Sequence, residues 1–386
     1  MKLHIFNPEN DLALADGGAA YCPPPAASRI AYDLATLPLW FAETDDVVFL
    51  PDEIHHDYCR SISSQFDIPG PYDGTSAAML AGVVPWGWSA QIRRRLKAMG
   101  INDCILPTEG SIDNIRALSN RKTSIRILES LKGMGIDTPE IPHYFTDPDD
   151  VADFICSLQR SVVKAPWSGS GKGILWGIGH VEPPMENFYK GIIKRQGGVV
   201  CEHYLDPVQE FAMEFLATDG KISFAGYSLF NASNGSYSGN IMATDAEIEK
   251  VLSQYVPSEY LAAARVSLTS VLERIIAGSG YEGYLGVDMM IYNEGGRLRL
   301  NPCMELNLRM NMGVVSRIFY DRYVTYGKRG RYSVEFRKES SAVMRLHSSY
   351  MKDFPLRMDN GRILRGYINL SPVTEESNYI AYVIVE

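Results

Sequence analysis

Residues Gly283–Gly313, GYLGVDMMIYNEGGRLRLNPCMELNLRMNMG, read as two β-strands joined by a turn. The first, Leu285–Tyr292, is apolar except for Asp288. The connection Asn293-Glu294-Gly295-Gly296 has the residue types that adopt positive φ cheaply. The second strand begins at Arg297 and ends in Glu305-Leu306-Asn307-Leu308-Arg309. Strand side chains alternate, so Glu305, Asn307 and Arg309 share one face while Leu306 and Leu308 share the other. An acid, an amide and a guanidinium thus gather beside the acid of the neighbouring strand. Carboxylate and amide oxygens are hard ligands, and one or two carboxylates with phosphates and waters make the usual Mg²⁺ octahedron. Arg309 is suited to hold a phosphate or carboxylate through two parallel bonds. By themselves the same residues also describe a strand end with a solvated face and one ordinary Glu–Arg pair.

A second signal lies upstream. Ser161–Pro166 (SVVKAP) reads as a strand carrying Lys164, and Trp167–Ile174 (WSGSGKGI) follows it. Gly169, Gly171 and Gly173 let backbone N–H groups surround phosphate oxygens, and Lys172 adds a point charge at the tip. The spacing is neither the P-loop nor the dinucleotide fingerprint. In isolation it reads first as a flexible Gly/Ser hairpin tip.

The two signals together, in this order, resemble the ATP-grasp superfamily, whose metal-binding end is an acid on one strand and E-x-N-x-R on the next. The resemblance spans roughly residues 119–315 and implies an α/β (α+β) chain. Two β-rich subdomains with helices would sandwich the nucleotide, behind an N-terminal α/β lobe with a parallel sheet. It implies ATP and Mg²⁺ as cofactors, with two ions and Mn²⁺ able to substitute, held by Asp288, Glu305 and Asn307. The gap from Asp288 to Glu305 is longer than in many members. Arg309 and Lys172 would be catalytic, Arg309 meeting the transferred phosphoryl group or the acyl phosphate. Lys164 would contact the phosphates, and the loop Ser168, Gly169, Ser170, Gly171, Lys172 and Gly173 would close over them. Lys122 sits where the family has an earlier basic residue near the phosphates. Val199–Leu205 (VVCEHYL) resembles the adenine-binding strand, placing Glu202, His203, Tyr204 and Leu205 at the base and Glu210 at the ribose. Without the flanking motifs, Glu202 and Glu210 read as exposed strand positions and His203 as a surface or structural residue. The implied activity is ligation of a small-molecule carboxylate to an amine through an acyl phosphate, the substrates being amino acids or peptides. A kinase acting on a hydroxyl and a non-catalytic nucleotide-binding protein are the alternatives. Dimers are common in the family.

The whole chain fits this frame. Its 386 residues are 46% hydrophobic, an ordinary globular content that suits two or three lobes. A net charge of −9 argues against a general nucleic-acid binder. No apolar run is long enough to span a bilayer. MKLHIFNPEND reads as a first strand rather than a signal peptide. The six scattered cysteines suit reduced thiols, and with them a cytoplasmic location.

Four units are expected: an N-terminal lobe over 1–118, one subdomain over 119–197, a second over 198–325 and an extension over 326–386. In the first, Lys2–Phe6 and Val47–Leu50 read as strands, Gln91–Met99 as a helix and Ile105–Pro107 as a strand end. Asn7–Asp11 follows the first strand, where open sheets bind ligands, but also reads as a turn and N-cap for a helix from Leu12. Further on, Ser119 or Asn120 opens a helix to Met134, stopped by Gly135, and Asp147 caps a helix through Leu158. Asp206-Pro207 reads as a turn, and Gln209–Ala217 and Lys221–Phe230 as strands. Asn231–Asn240 reads as a polar loop. Pro257–Ile276 reads as a helix with a stripe of Leu261, Val266, Leu268, Val271, Leu272 and Ile275. Beyond Ser316 the pattern fades, with strand-like pieces such as Tyr379–Val385.

Overall fold

A computed structural model describes residues 1–75, 77–169, 173–233, 236–339 and 341–386, with backbone only at 231–233 and 236–238. Three sheets carry the fold. The first joins β1 (Lys2–Ile5), β2 (Val47–Val48), β3 (Gly70–Pro71) and β4 (Gly82–Pro85) in the order β3-β2-β1-β4, all parallel. Leu3, Ile5 and Val83 are buried there with Ile92 and Leu96 of the helix Ala90–Ala98. The strand end expected at Ile105–Pro107 is instead a 3₁₀ turn, Asp103–Ile105. The Asn102 side chain accepts from the Cys104 N–H at 3.0 Å and so offers the backbone a local partner in place of a ladder. The helix after β1 runs Asn10–Asp16, starting two residues earlier than expected, with no side-chain cap. Asn7 bonds across to Gly87 through both amide atoms, at 2.9 and 3.3 Å, and ties the ends of β1 and β4 together.

The second sheet is antiparallel: β5 (His143–Phe145), β6 (Ser161–Lys164), β7 (Ile174–Gly177) and β8 (Val199–His203), in the order β5-β8-β6-β7. One face buries Val163, Val199 and Cys201 against the helices Pro148–Ser157 and Pro183–Gln196. Asp147 caps the former by accepting from the Asp149 N–H at 2.9 Å. Alternation puts Lys164, Val200 and Glu202 on the other face. Because β8 pairs with β6, the chain leaves this sheet after His203, later than the boundary read at residue 198.

The third sheet has nine strands: β9 (Asp206–Thr218), β10 (Lys221–Ser233), β11 (Ser236–Met242), β12 (Gly283–Glu294), β13 (Arg297–Asn307), β14 (Gly330–Phe336), β15 (Arg357–Asp359), β16 (Arg362–Asn369) and β17 (Tyr379–Val385). Their order is β13-β12-β9-β10-β11-β14-β17-β16-β15, with neighbours antiparallel. Asp206 and Pro207 begin β9 rather than forming a turn. The described residues of the stretch read as a polar loop lie in β10 and β11, which pair with each other, and β14 pairs with β11 from Asn240 to Met242. The tail thus widens this sheet.

The helix Ser258–Ile276 buries Leu261, Ala264, Leu268, Val271, Leu272 and Ile276. Val266, placed in its apolar stripe by the sequence reading, is 68% exposed. It sits five residues past Leu261, about 140° round the helix and off the packed side. A further helix, Met312–Tyr323, has no counterpart in the sequence reading. Its Val314, Val315, Phe319, Tyr320 and Tyr323 pack with Leu37, Leu39 and Trp40 of the first lobe and with strand residues Tyr332 and Ala381. Burial on more than one side leaves no single apolar stripe to detect. Among the described residues no helix is long and apolar enough to cross a membrane, and all six cysteines are free thiols.

Candidate active site

The β12–β13 hairpin carries the acidic end of the site. Asp288 lies directly opposite Glu305, and a register shift between Asp288 and Met290 takes up the long interval between them. The Asn307 side-chain amide donates to Asp288 Oδ2 at 3.1 Å. Burial, and then the charge of Glu305, push the Asp288 carboxyl up to about 7. Two carboxylates this close, with the Asn307 amide beside them, are a set of hard donors that a divalent cation would relieve. Among the described residues no cluster of three or more His, Cys, Asp or Glu side chains gathers as a metal cage. A small all-oxygen set of this kind fits Mg²⁺ completed by phosphates and water, and not a closed zinc site.

Arg309 is fastened from two directions. Its Nε and Nη2 donate to the two oxygens of Asp11, each at 2.8 Å. Nη2 also donates to Asn307 Oδ1 at 3.1 Å, and Nη1 to the Met310 carbonyl at 3.2 Å. Asp11 comes from the short helix after β1, so the segment Asn7–Asp11 reaches the cleft through Asn10 and Asp11.

Arg121 is the residue the sequence reading missed. It is 4% exposed, and its Nη1 donates to the Ala165 carbonyl and to Ser168 Oγ, both at 2.6 Å. Its Nη2 donates to Glu305 Oε2 at 2.8 Å. One side chain thus ties the backbone beside Lys164 to the acidic hairpin end. The helix Lys122–Gly133 held a usable signal: Ser124, Leu128 and Leu131 are buried, and Arg121 lies one turn before them on the same side.

On the second sheet, Lys164 forms an ion pair with Glu202, and both are largely shielded from solvent. Tyr144, Val200 and Lys164 lie in one row across β5, β8 and β6. The Lys122 ammonium sits 4.8 Å from the Tyr144 ring centre, over that face. Burial raises the Glu210 carboxyl above its ordinary range, and the nearby Lys164 charge opposes the rise. Lys122, Lys164, Glu202 and Glu210 therefore gather around one surface. His203 does not join them: its ring lies 3.1 Å from Glu140 and edge-on to Phe154, so only its backbone is available here. The Arg160 guanidinium lies 3.4 Å from the Tyr204 ring centre, at the crossover with Leu205. Gly173 has φ 75°, and its carbonyl accepts from the Ala165 N–H at 2.8 Å. Ser170, Gly171 and Lys172 lie outside the described residues.

A cleft, about 300 Å³ of empty space counting its open mouth, is lined by Asn10, Asp11, Leu14, Ser119, Trp167 and Ser168 on one side and Glu305–Arg309 on the other. Behind the hairpin sits a second residue absent from the sequence reading, Glu214 of β9. It accepts from the Asn311 side chain at 2.7 Å, and burial pushes its carboxyl up to about 8. An acid inside the apolar run Phe211–Leu216 was the signal for it.

No known family profile matches the chain, and no curated protein does. Solved structures do. The chain aligns over 100% of its length, and over 87% of the other, with the biotin carboxylase–β,γ-ATP complex from Campylobacter jejuni, at TM-score 0.54 and 10% identity. N5-carboxyaminoimidazole synthetase from Staphylococcus aureus matches over 100% of this chain and 92% of its own, at TM-score 0.52 and 14% identity. Its ADP complex matches over 100% and 93%, at TM-score 0.50 and 16% identity. At such identities the likeness is one of fold, and it runs the full length: the chain has the ATP-grasp fold.

Proposed function

We propose that this protein is an ATP- and magnesium-dependent carboxylate–amine ligase. A substrate carboxylate takes the γ-phosphoryl group of ATP, releasing ADP, and an amine then displaces phosphate from the acyl phosphate. The observation that carries this reading is Arg121, which links the Ala165 carbonyl and Ser168 to Glu305 and so joins the lysine-bearing face to the acidic hairpin end. Two of the proteins that share the fold were solved with ADP or a β,γ-ATP species bound.

Asp288, Glu305 and Asn307 are the residues that would hold Mg²⁺, which when bound neutralises phosphate charge. Lys164 would give a point charge to the phosphates, with Lys122 and the described residues Ser168, Gly169 and Gly173 as its companions on that side. Glu202 and the backbone of His203, Tyr204 and Leu205 suit the adenine edge, and Glu210 suits the ribose hydroxyls. Arg309 faces the cleft beside the metal-binding residues and suits the transferred group. Catalysis of this kind is positioning and charge neutralisation rather than covalent chemistry by the protein.

The test is ADP release with Mg²⁺ across a panel of amino acids and small peptides, repeated with hydroxylamine. Stimulated release with a trapped hydroxamate supports the ligase. A stable phosphorylated product instead identifies a kinase acting on a hydroxyl, and binding without turnover identifies a nucleotide-binding protein.

A further inference from the structure

Arg309 carries five N–H donors. Asp11 takes two, Asn307 one and the Met310 carbonyl one, which fixes the plane of the guanidinium before any ligand arrives. The helix bearing Asp11 is itself held. Arg116 donates to the Leu14 carbonyl at 2.8 Å and lies 4.3 Å from the centre of the Trp167 ring, whose Nε1 donates to the Arg116 carbonyl at 2.9 Å. Trp167 opens the glycine-bearing segment, and Gly169, two residues on, packs against Asp11. A Cβ at Gly169 would stand 2.5 Å from Asp11 Oδ2 and 3.2 Å from its Cβ and Cγ. Gly169 has no positive φ, so its backbone would accept alanine and the obstacle is the carboxylate itself. That carboxylate has little freedom to swing aside while Arg309 holds both of its oxygens.

We infer that Asp11 is a positioning residue with two roles: it sets the fork of Arg309 and forms the seat against which Gly169 packs. The first lobe thereby reaches both Arg309 and Gly169 through one carboxylate. The inference rests on the ligase reading for the nucleotide, but the seat itself is measurable without one.

The experiment is a double-mutant cycle of Gly169→Ala and Asp11→Ser. Hydrogen exchange of the peptide Trp167–Ile174 is read in the free protein, and affinities for Mg·AMPPNP and Mg·ADP are read by calorimetry. Gly169→Ala is expected to speed exchange in that peptide about tenfold with Asp11 present and to change it less than twofold in the Asp11→Ser background. Asp11→Ser is expected to weaken Mg·AMPPNP about tenfold while leaving Mg·ADP within twofold, a split that general destabilisation would not give. Equal effects of Gly169→Ala in both backgrounds, no effect in the parent, or equal weakening of both nucleotides would overturn the inference. A coupled exchange cycle in a protein that binds neither nucleotide would keep the seat and sink the ligase reading instead.

Discussion

The acidic end of the β12–β13 hairpin and the lysine-bearing strand β6 are joined through Arg121, yet the two regions are held differently. At the hairpin end, Asp288 is bonded by Asn307, Glu305 by Arg121, and Arg309 by Asp11 and Asn307. Two of those partners come from elements far away in sequence. On the other face, Lys164 and Glu202 hold each other, Lys122 rests over an aromatic ring, and Glu210 feels Lys164 only as a neighbouring charge. The first arrangement is set before a ligand arrives; the second must rearrange its one ion pair to receive phosphates. The hairpin end should therefore govern turnover, and the sheet face should govern nucleotide affinity.

The largest effect should come from Glu305→Ala, which removes a proposed metal ligand and strands Arg121. Mg²⁺-dependent ADP release is expected to fall by about 10²–10³ in kcat, the scale of losing a preorganised charge partner. A fall below tenfold would break the contrast between the regions. Next is Arg121→Ala, which leaves Glu305 without its partner at a largely shielded position. Breaking such a pair costs about 3 kcal/mol of stability, read by denaturant unfolding. Lys122→Ala, one residue along but solvent-facing, should cost under about 1 kcal/mol, the scale of an exposed cation–π contact. Equal costs at 121 and 122 would refute the assignment of the bridge to Arg121.

Lys164→Met is expected to raise the KM for ATP roughly tenfold to a hundredfold while kcat changes less, since one charge-assisted contact is worth about 1.5–3 kcal/mol. A loss confined to kcat would merge the two regions into one. The smallest effect concerns Glu214. Its carboxyl titrates near 8 in the folded protein against an ordinary value of 4.5, so the folded state holds the extra proton between those values. The resulting stability is complete below about 4.5 and is lost as pH rises through 8. Glu214→Gln should raise the melting temperature by a few degrees at pH 8.5 and by about zero at pH 5, measured without ligand. A gain that does not depend on pH would show that Glu214 is charged throughout.

The order of motifs along the chain was legible in the sequence because each is local. The Glu305–Asn307–Arg309 face follows from strand alternation, and Lys164 from one apolar strand before a glycine-bearing segment. What escaped was set by contacts distant in sequence. Asp11 reaches Arg309 across 298 positions, which no window of residues reveals. Arg121 and Lys122 differ only in helix phase, and the first is turned inward by the packing of Leu128 and Leu131. The Asn231–Asn240 stretch is polar enough for a loop, yet its described residues continue the β10–β11 ladder, and β14 pairs with the far end of β11 from Asn240. The helix Met312–Tyr323 is apolar on several sides because the first lobe and the large sheet both cover it.

The central claim is that Lys164 and the Glu305–Asn307 strand end hold one magnesium-bound triphosphate between them. Calorimetric titration of ATP, with and without Mg²⁺, into the parent protein and Glu305→Ala tests it most directly. The account predicts that Mg²⁺ tightens ATP binding by about tenfold or more in the parent and by less than twofold in the variant. ATP binding that ignores Mg²⁺ in the parent, or a metal effect that survives Glu305→Ala, would contradict it.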